Sequence, residues 1–298
     1  MTAVIEVRQL QKRYGDHEAV RDVSFTVERG EIFGIIGRNG AGKTTTVECI
    51  EGLRRPDAGS VTVLGRDPRD PDVRQRLGVQ LQESQLPDRI RVDEAMGLFA
   101  SFYERPAAPG PLLERLGLAG HGGRTYKKLS GGQKQRLSIA LSLVGSPEVA
   151  VLDELTTGLD PQARHDTWRL IADVRDSGVT VLLVTHFMDE AERLCDRIAV
   201  IDRGRTVAVD TPQGLIRRVP GGVTVTFRPS GPLDAQALAG VPGVTATSVE
   251  DGMWTVQGRG NLAHEVSTAL AALHVVPLAL NIVQADLESA FVELTCAP

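Results

Sequence analysis

A chain of 298 residues, 42% hydrophobic and 24% charged, is long enough for one large domain and one small one, each with a core. Its 33 bases and 38 acids give a net charge of −5 with no basic domain or stripe, which is not the profile of a nucleic-acid binder. No apolar run approaches the roughly 18 to 20 residues that span a bilayer, so no membrane span is expected. Met1–Val7 lacks the basic and apolar regions of a signal peptide. Cys49, Cys195 and Cys296 are too scattered for a disulfide framework or a zinc site, which suits a reducing compartment.

Three short segments alternate with period two: Ala3/Ile5/Val7, Val23/Phe25/Val27 and Val61/Val63. Turn residues separate them at Tyr14-Gly15-Asp16, Arg29-Gly30 and Asp57-Ala58-Gly59, so antiparallel strands with one solvated face are expected. Tyr14, on the first turn, is open to two readings: a half-buried strand-end tyrosine, or a ring offered to a base. Between the second and third segments the apolar run Ile32–Ile36 breaks into Gly37-Arg38-Asn39-Gly40-Ala41-Gly42-Lys43-Thr44-Thr45. That is the phosphate-loop pattern G-x-x-x-x-G-K-[ST]. Its glycines let the backbone turn its N–H groups toward one anion, and a helix over Lys43 to Leu53 aims its positive end at the same place. Lys43 would reach the β- and γ-phosphates, and the Thr44 hydroxyl would ligate Mg²⁺.

Leu77 to Glu83 reads as a short strand ending in glutamines, and residues 84–145 are mostly helical. Within them Met96, Phe99, Ala100 and Tyr103 share one helix face, and Leu112 to Leu118 starts another helix. Ser130-Gly131-Gly132-Gln133 opens a further helix, as an ordinary cap or as a second anion-binding helix end. The apolar strand Val149–Leu152 then delivers Asp153 and Glu154 at its C-terminal end, where open parallel sheets bind ligands. Mg²⁺ on one carboxylate and water under the other would satisfy both. After the loop Thr157–Pro161 and a helix over Gln162 to Arg175, the buried strand Val179–Thr185 ends in His186. Helix Met188–Cys195, hairpin Arg197–Val209 and a short helix over Thr211 to Arg218 close this part.

The texture changes after Pro220-Gly221-Gly222, where a segment with only two bases and seven acids carries the whole net charge. Its order β-α-β-β-α-β-α predicts a ferredoxin-like α+β domain over residues 220–298, without a catalytic constellation.

Taken together, the first 215 residues resemble the ATP-binding subunit of an ABC transporter. Gly37 to Thr45 match the Walker A loop, Gln82 the Q-loop, Leu129 to Gln133 the signature, Asp153 and Glu154 the Walker B pair, Asp160 the D-loop and His186 the switch histidine. The chain is also similar to the drug exporters of daunorubicin-resistance type, whose closing helix Leu287 to Thr295 resembles. The family usually has proline where Leu155 stands, so a looser turn is expected there.

The resemblance implies an α/β phosphate-loop cassette over residues 1–219: a mixed sheet with an antiparallel β subdomain and a helical subdomain. It implies ATP and Mg²⁺ as cofactors, with Tyr14 on adenine and residues 37–45 on the phosphates. Thr44, Gln82 and Asp153 would order the metal, and Glu154, His186 and Gln82 would act on water and γ-phosphate. Ser130 and Gly132 of the second copy of a homodimer would close over the γ-phosphate, and Gly131, Gln133 and Asp160 would also belong to the nucleotide site. It further implies a separate ABC-2-type membrane permease, a place on the cytoplasmic face of the membrane, and ATP-driven efflux of a drug or other hydrophobic compound. An importer, another ABC-2 export system or a non-transport ABC ATPase are the alternatives. A DNA-repair ABC ATPase would carry coiled-coil insertions, and none interrupts residues 37–186.

Overall fold

Strand β1 (Ala3–Tyr14) turns at Gly15 and Asp16 into β2 (His17–Glu28), pairing antiparallel from Tyr14↔His17 to Ala3↔Glu28. The alternation sends Ile5, Val7, Leu10, Val23, Phe25 and Val27 into one core. This computed structural model describes residues 2–80, 86–219, 222–234 and 237–296, which form two compact units, Met1–Thr211 and Pro212–Pro298.

In the first unit, β3 (Ile32–Ile36) leads into α1 (Lys43–Ile50), and β4 (Ala58–Val63) pairs antiparallel with the free side of β1. Helix α1 stops before the expected Leu53 because Gly52 turns left-handed at φ 74°. There Gly52 N bonds Cys49 O and Leu53 N bonds Glu48 O, which satisfies the last carbonyls. Next come α2 (Pro71–Arg74), β5 (Leu77–Gln80), α3 (Val92–Ala100), α4 (Pro109–Arg115) and α5 (Gly131–Leu143). Helices α3, α4 and α5 pack together as the expected helical part.

The remaining elements are β6 (Val149–Asp153), α6 (Pro161–Asp176), β7 (Thr180–Val184), α7 (Met188–Leu194), β8 (Arg197–Asp202) and β9 (Arg205–Asp210). One nine-stranded sheet results, in the order β4-β1-β2-β9-β8-β3-β7-β6-β5. Strands β8, β3, β7, β6 and β5 run parallel, and every residue of β3, β6 and β7 is buried. Continuous apolar runs are what a sheet covered on both faces needs. The parallel register has one consequence for function. The loop after Ile36, the acids after Leu152 and the histidine after Thr185 all leave the same edge of the sheet.

The second unit holds α8 (Pro212–Ile216), β10 (Val223–Pro229), β11 (Val244–Glu250), β12 (Met253–Gly258), α9 (Leu262–Ala272), β13 (Pro277–Gln284) and α10 (Leu287–Cys296). Its sheet is antiparallel throughout, in the order β11-β12-β10-β13. Val225, Phe227, Trp254 and Val256 on one face meet Leu262, Val266 and Leu270 of α9 in a separate core. The unit begins at Pro212, where the sequence suggested residue 220, because α8 packs on α10. The helix expected over Leu233 to Leu238 falls partly on residues 235–236, outside the described residues.

Candidate nucleotide site

The glycine loop is shaped by strands distant in sequence. A Cβ at Gly37 would lie 2.3 Å from Ile201 O of β8, and one at Gly42 would lie 2.5 Å from Ala19 O of β2. Gly42 also adopts φ +99° as the cap of α1 and, as a glycine, offers the helix's first amides no capping side chain. The loop is closed by Ala41 N to Arg38 O at 3.1 Å and pinned to the β8–β9 turn by Gly204 N to Ala41 O at 2.9 Å. Lys43 is buried, and its Nζ donates to Gly37 O at 2.8 Å and Arg38 O at 3.2 Å. Burial lowers its pKa, while the Glu154 and Asp153 charges act to raise it.

Asp153, 6% exposed, ends β6, and its backbone N–H is held by Gln80 Oε1 at 3.0 Å. Desolvation first, then the Glu154 charge, pushes its carboxyl up to about 6 against the pull of Lys43. Glu154 follows in a left-handed conformation, φ 49°, which carries its side chain off the strand end. Its Oε1 lies 3.3 Å from His186 Nδ1. The two are brought together by β7, since Val184 O accepts from Glu154 N and Thr185 N donates to Ile35 O. Leu155 is completely buried, so packing anchors the turn that lacks the family's proline.

A cavity of about 530 Å³ brings together Tyr14, Asn39, Gly40, Gly42, Lys43, Thr44, Thr45, Glu154 and His186. Of the expected set, Gly37, Arg38, Ala41 and Asp153 do not line it, the first three serving as loop framework. Sequence reasoning missed His17 and Ala19, which line it from the start of β2. It also missed Glu51, a 7% exposed carboxyl that burial and the neighbouring Asp153 push up to about 8. Gln82 lies outside the described residues.

A second cavity, about 600 Å³, is lined by Ser130, Gly131, Gly132, Gln133 and Asp160. Here two helix N-termini lie side by side. Ser130 Oγ accepts from Gln133 N at 3.3 Å while Gln133 Oε1 accepts from Ser130 N at 3.1 Å, a capping box on α5. Asp160 caps α6 by accepting from Ala163 N at 3.0 Å. Both readings of the Ser-Gly-Gly segment therefore stay compatible with its geometry: it is a cap, and it faces a cleft.

Tyr14 is 40% exposed, with Lys12 Nζ 5.9 Å and Arg54 Cζ 5.8 Å from its ring centroid. An exposed ring at the cavity mouth suits stacking. Tyr14→Ala is expected to weaken nucleotide binding by about 1 to 3 kcal/mol, and Tyr14→Trp to retain it. Titration with a fluorescent ATP analogue checks this, and equal affinity in all three proteins would return Tyr14 to a structural role.

A glycine loop ending one parallel core strand, with a histidine ending the next strand and an acidic pair ending the one beyond, defines a phosphate-loop nucleotide-binding cassette. Comparison with known proteins narrows the class. The ABC transporter family model matches residues 20–157. The chain is 44% identical over 221 residues to the Nod factor export ATP-binding protein I of Burkholderia lata, spanning 72% of this chain and 73% of that one. A protein of the same name from Ralstonia nicotianae is 44% identical over 226 residues, spanning 72% and 69%. Among solved structures, an ATP-binding subunit of an ABC transporter is similar at TM-score 0.65 and 30% identity, covering 72% of this chain and 92% of that one. Similar too is cbiO1 from Clostridium perfringens, part of an ABC transporter complex, at TM-score 0.66 and 26% identity, covering 73% and 92%. The chain belongs to the ABC transporter ATP-binding family, as an ATP-binding and ATP-hydrolysing subunit.

Proposed function

We propose that this chain powers an exporter: two copies close over ATP, and their closing and reopening drives a separate ABC-2-type membrane subunit. The observation that carries the two-copy reading is the division of anion-binding elements between two cavities. Lys43 and the loop line one, while the ends of α5 and α6 line the other. Added Cβ atoms at Gly131 and Gly132 would make only ordinary contacts, 3.8 Å to Leu159 and 3.7 Å to Ala163. Among the described residues no crowding demands glycine there, whereas approach by a phosphate held on another copy would. Export is suggested by the names of the Burkholderia and Ralstonia relatives. A drug or other hydrophobic compound is the cargo we propose, and no helix of the described residues is long and apolar enough to cross a membrane.

In this mechanism Lys43 leaves the carbonyls of Gly37 and Arg38 for the β- and γ-phosphates. Tyr14 stacks on adenine and the loop amides orient the phosphate chain. Thr44 and Asp153 offer the hard oxygen donors Mg²⁺ requires, and a buried carboxylate beside a single lysine fits a further cation. When bound, the metal would neutralise charge developing on the phosphate oxygens. Glu154 polarises the attacking water, His186 fixes the far side of the γ-phosphate, and Ser130 with Gly132 of the second copy covers it. Each residue works by position and electrostatics.

Inside-out vesicles carrying the chain with its membrane subunit are expected to accumulate a hydrophobic dye only with Mg·ATP. Uptake indifferent to ATP would contradict the export reading. The second unit, acidic and without a catalytic cluster among its described residues, we assign to stabilising the ATP-bound dimer. Truncation after Thr211 is expected to leave ATP binding intact and to lower dimer formation; lost ATP binding would contradict that division.

A further inference from the structure

Behind the two cavities lies a buried cluster that the mechanism above does not use. Glu190 of α7 is 0% exposed and accepts a hydrogen bond from Trp168 Nε1 of α6 at 2.9 Å. Thr185, immediately before His186, and Thr156, on the way from Glu154 to Asp160, present their hydroxyls to the same carboxylate and act to lower its pKa against burial. Both threonines are 0% exposed. Yet Glu190 Oε2 and Thr156 Oγ1 meet no partner in hydrogen-bond geometry. Two buried polar atoms, one on Glu190 and one on a threonine that acts on its charge, are thus left without a bond.

A second rung runs parallel to this one. Arg164 lies one helical turn before Trp168 on α6. Its guanidinium stands 4.3 Å from the Phe187 ring centroid and its Nη1 3.5 Å from Asp189 Oδ2. Phe187 in turn packs on His186, with ring centroids 4.1 Å apart. Residues four apart on α6 therefore grip the segment that begins with His186 at two points.

We propose that Glu190 is a positioning residue that fastens the strand end bearing His186 to the helix opened by Asp160, so that the residues facing the two cavities move as one body. Asp160 lines the second cavity and His186 the first. The cluster reports to each what the other contacts. Closure of a second copy against Asp160 shifts the Thr156 segment, completes the hydroxyl–carboxylate bond at Glu190, and fixes Thr185 and with it His186. The inference rests on the two-copy ATP site proposed above.

The test uses the full-length chain. Glu190→Leu is expected to lower kcat for ATP about tenfold with nucleotide affinity within about twofold of the parent, and Glu190→Gln, which keeps an acceptor for Trp168, to recover most of it. Trp168→Phe should lower kcat and add little to Glu190→Leu, since both act on one contact. The chain has 2 tryptophans, so Trp254→Phe leaves Trp168 as the only one. Its emission is then expected to differ between Mg·AMP-PNP and Mg·ADP with Glu190 intact, a readout that a merely structural role would not move. Identical emission in the two states, unchanged kcat in Glu190→Leu, or losses that multiply in the double variant would each overturn the proposal. Failure of the unaltered chain to bind the fluorescent ATP analogue would instead bring down the nucleotide site itself. The two failures are thereby distinguished.

Discussion

Replacing Glu154 by Gln is expected to slow ATP hydrolysis by about 10² to 10⁴-fold while nucleotide binding survives. The reason is local. Glu154 leaves β6 at φ 49° and sets its carboxylate 3.3 Å from His186 Nδ1, on the wall of the cavity that holds Lys43. Glutamine keeps that shape and a carbonyl oxygen, so the cavity and its contacts remain. What it loses is the negative charge that, in the proposed mechanism, polarises the attacking water. A variant that hydrolyses ATP at the parent rate would remove Glu154 from the catalytic role and leave it as a strand-end residue paired with a histidine.

Asp153, its neighbour, is expected to fail differently. Asp153→Asn removes a proposed donor for Mg²⁺, so affinity for Mg·ATP should fall by at least about tenfold. Affinity for metal-free ATP should hold or rise, because a negative charge beside the phosphates is gone. The pH dependence sharpens the contrast. Burial raises the Asp153 carboxyl to about 6, so below that pH the protein binds a proton where the metal would sit. The advantage of Mg·ATP over ATP should therefore fade in the parent as pH drops through about 6 and stay flat in Asp153→Asn. Isothermal titration with and without Mg²⁺ at several pH values reads this directly. Equal metal dependence in the two proteins would take Asp153 out of the metal site.

These residues were legible in the sequence because their signals are local. A phosphate loop is a contiguous pattern, and Asp153, Glu154 and His186 each end an apolar run whose meaning is fixed by the parallel sheet. Contacts between distant segments were not legible. Gly37 and Gly42 read as turn residues, but the carbonyls that forbid a side chain belong to Ile201 and Ala19. The ends of elements escaped for the same reason. Helix α1 stops at Ile50 on a glycine cap, and α8 joins the second unit because α10 packs on it. Glu190 carried no signal, since a glutamate in an amphipathic helix looks solvent-facing until Trp168 and two threonines close around it. Its complete burial appears only when α6 and α7 are placed together.

The central claim is that in the proposed dimer each ATP is held between the loop cavity of one copy and the α5 and α6 ends of the other. Light scattering of Glu154→Gln tests it most directly, because ATP bound and not hydrolysed should hold the copies together by mass action. With Mg·ATP the mass should be twice the 32.0 kDa of one chain, and with Mg·ADP it should return to a single chain. Adding Ser130→Glu in the same protein should abolish the doubling while each single chain still binds ATP at its own Lys43 cavity, since Ser130 lies in the other cavity. A slow, ATP-saturated Glu154→Gln protein that remained at 32.0 kDa, or one whose doubling survived Ser130→Glu, would contradict the shared site.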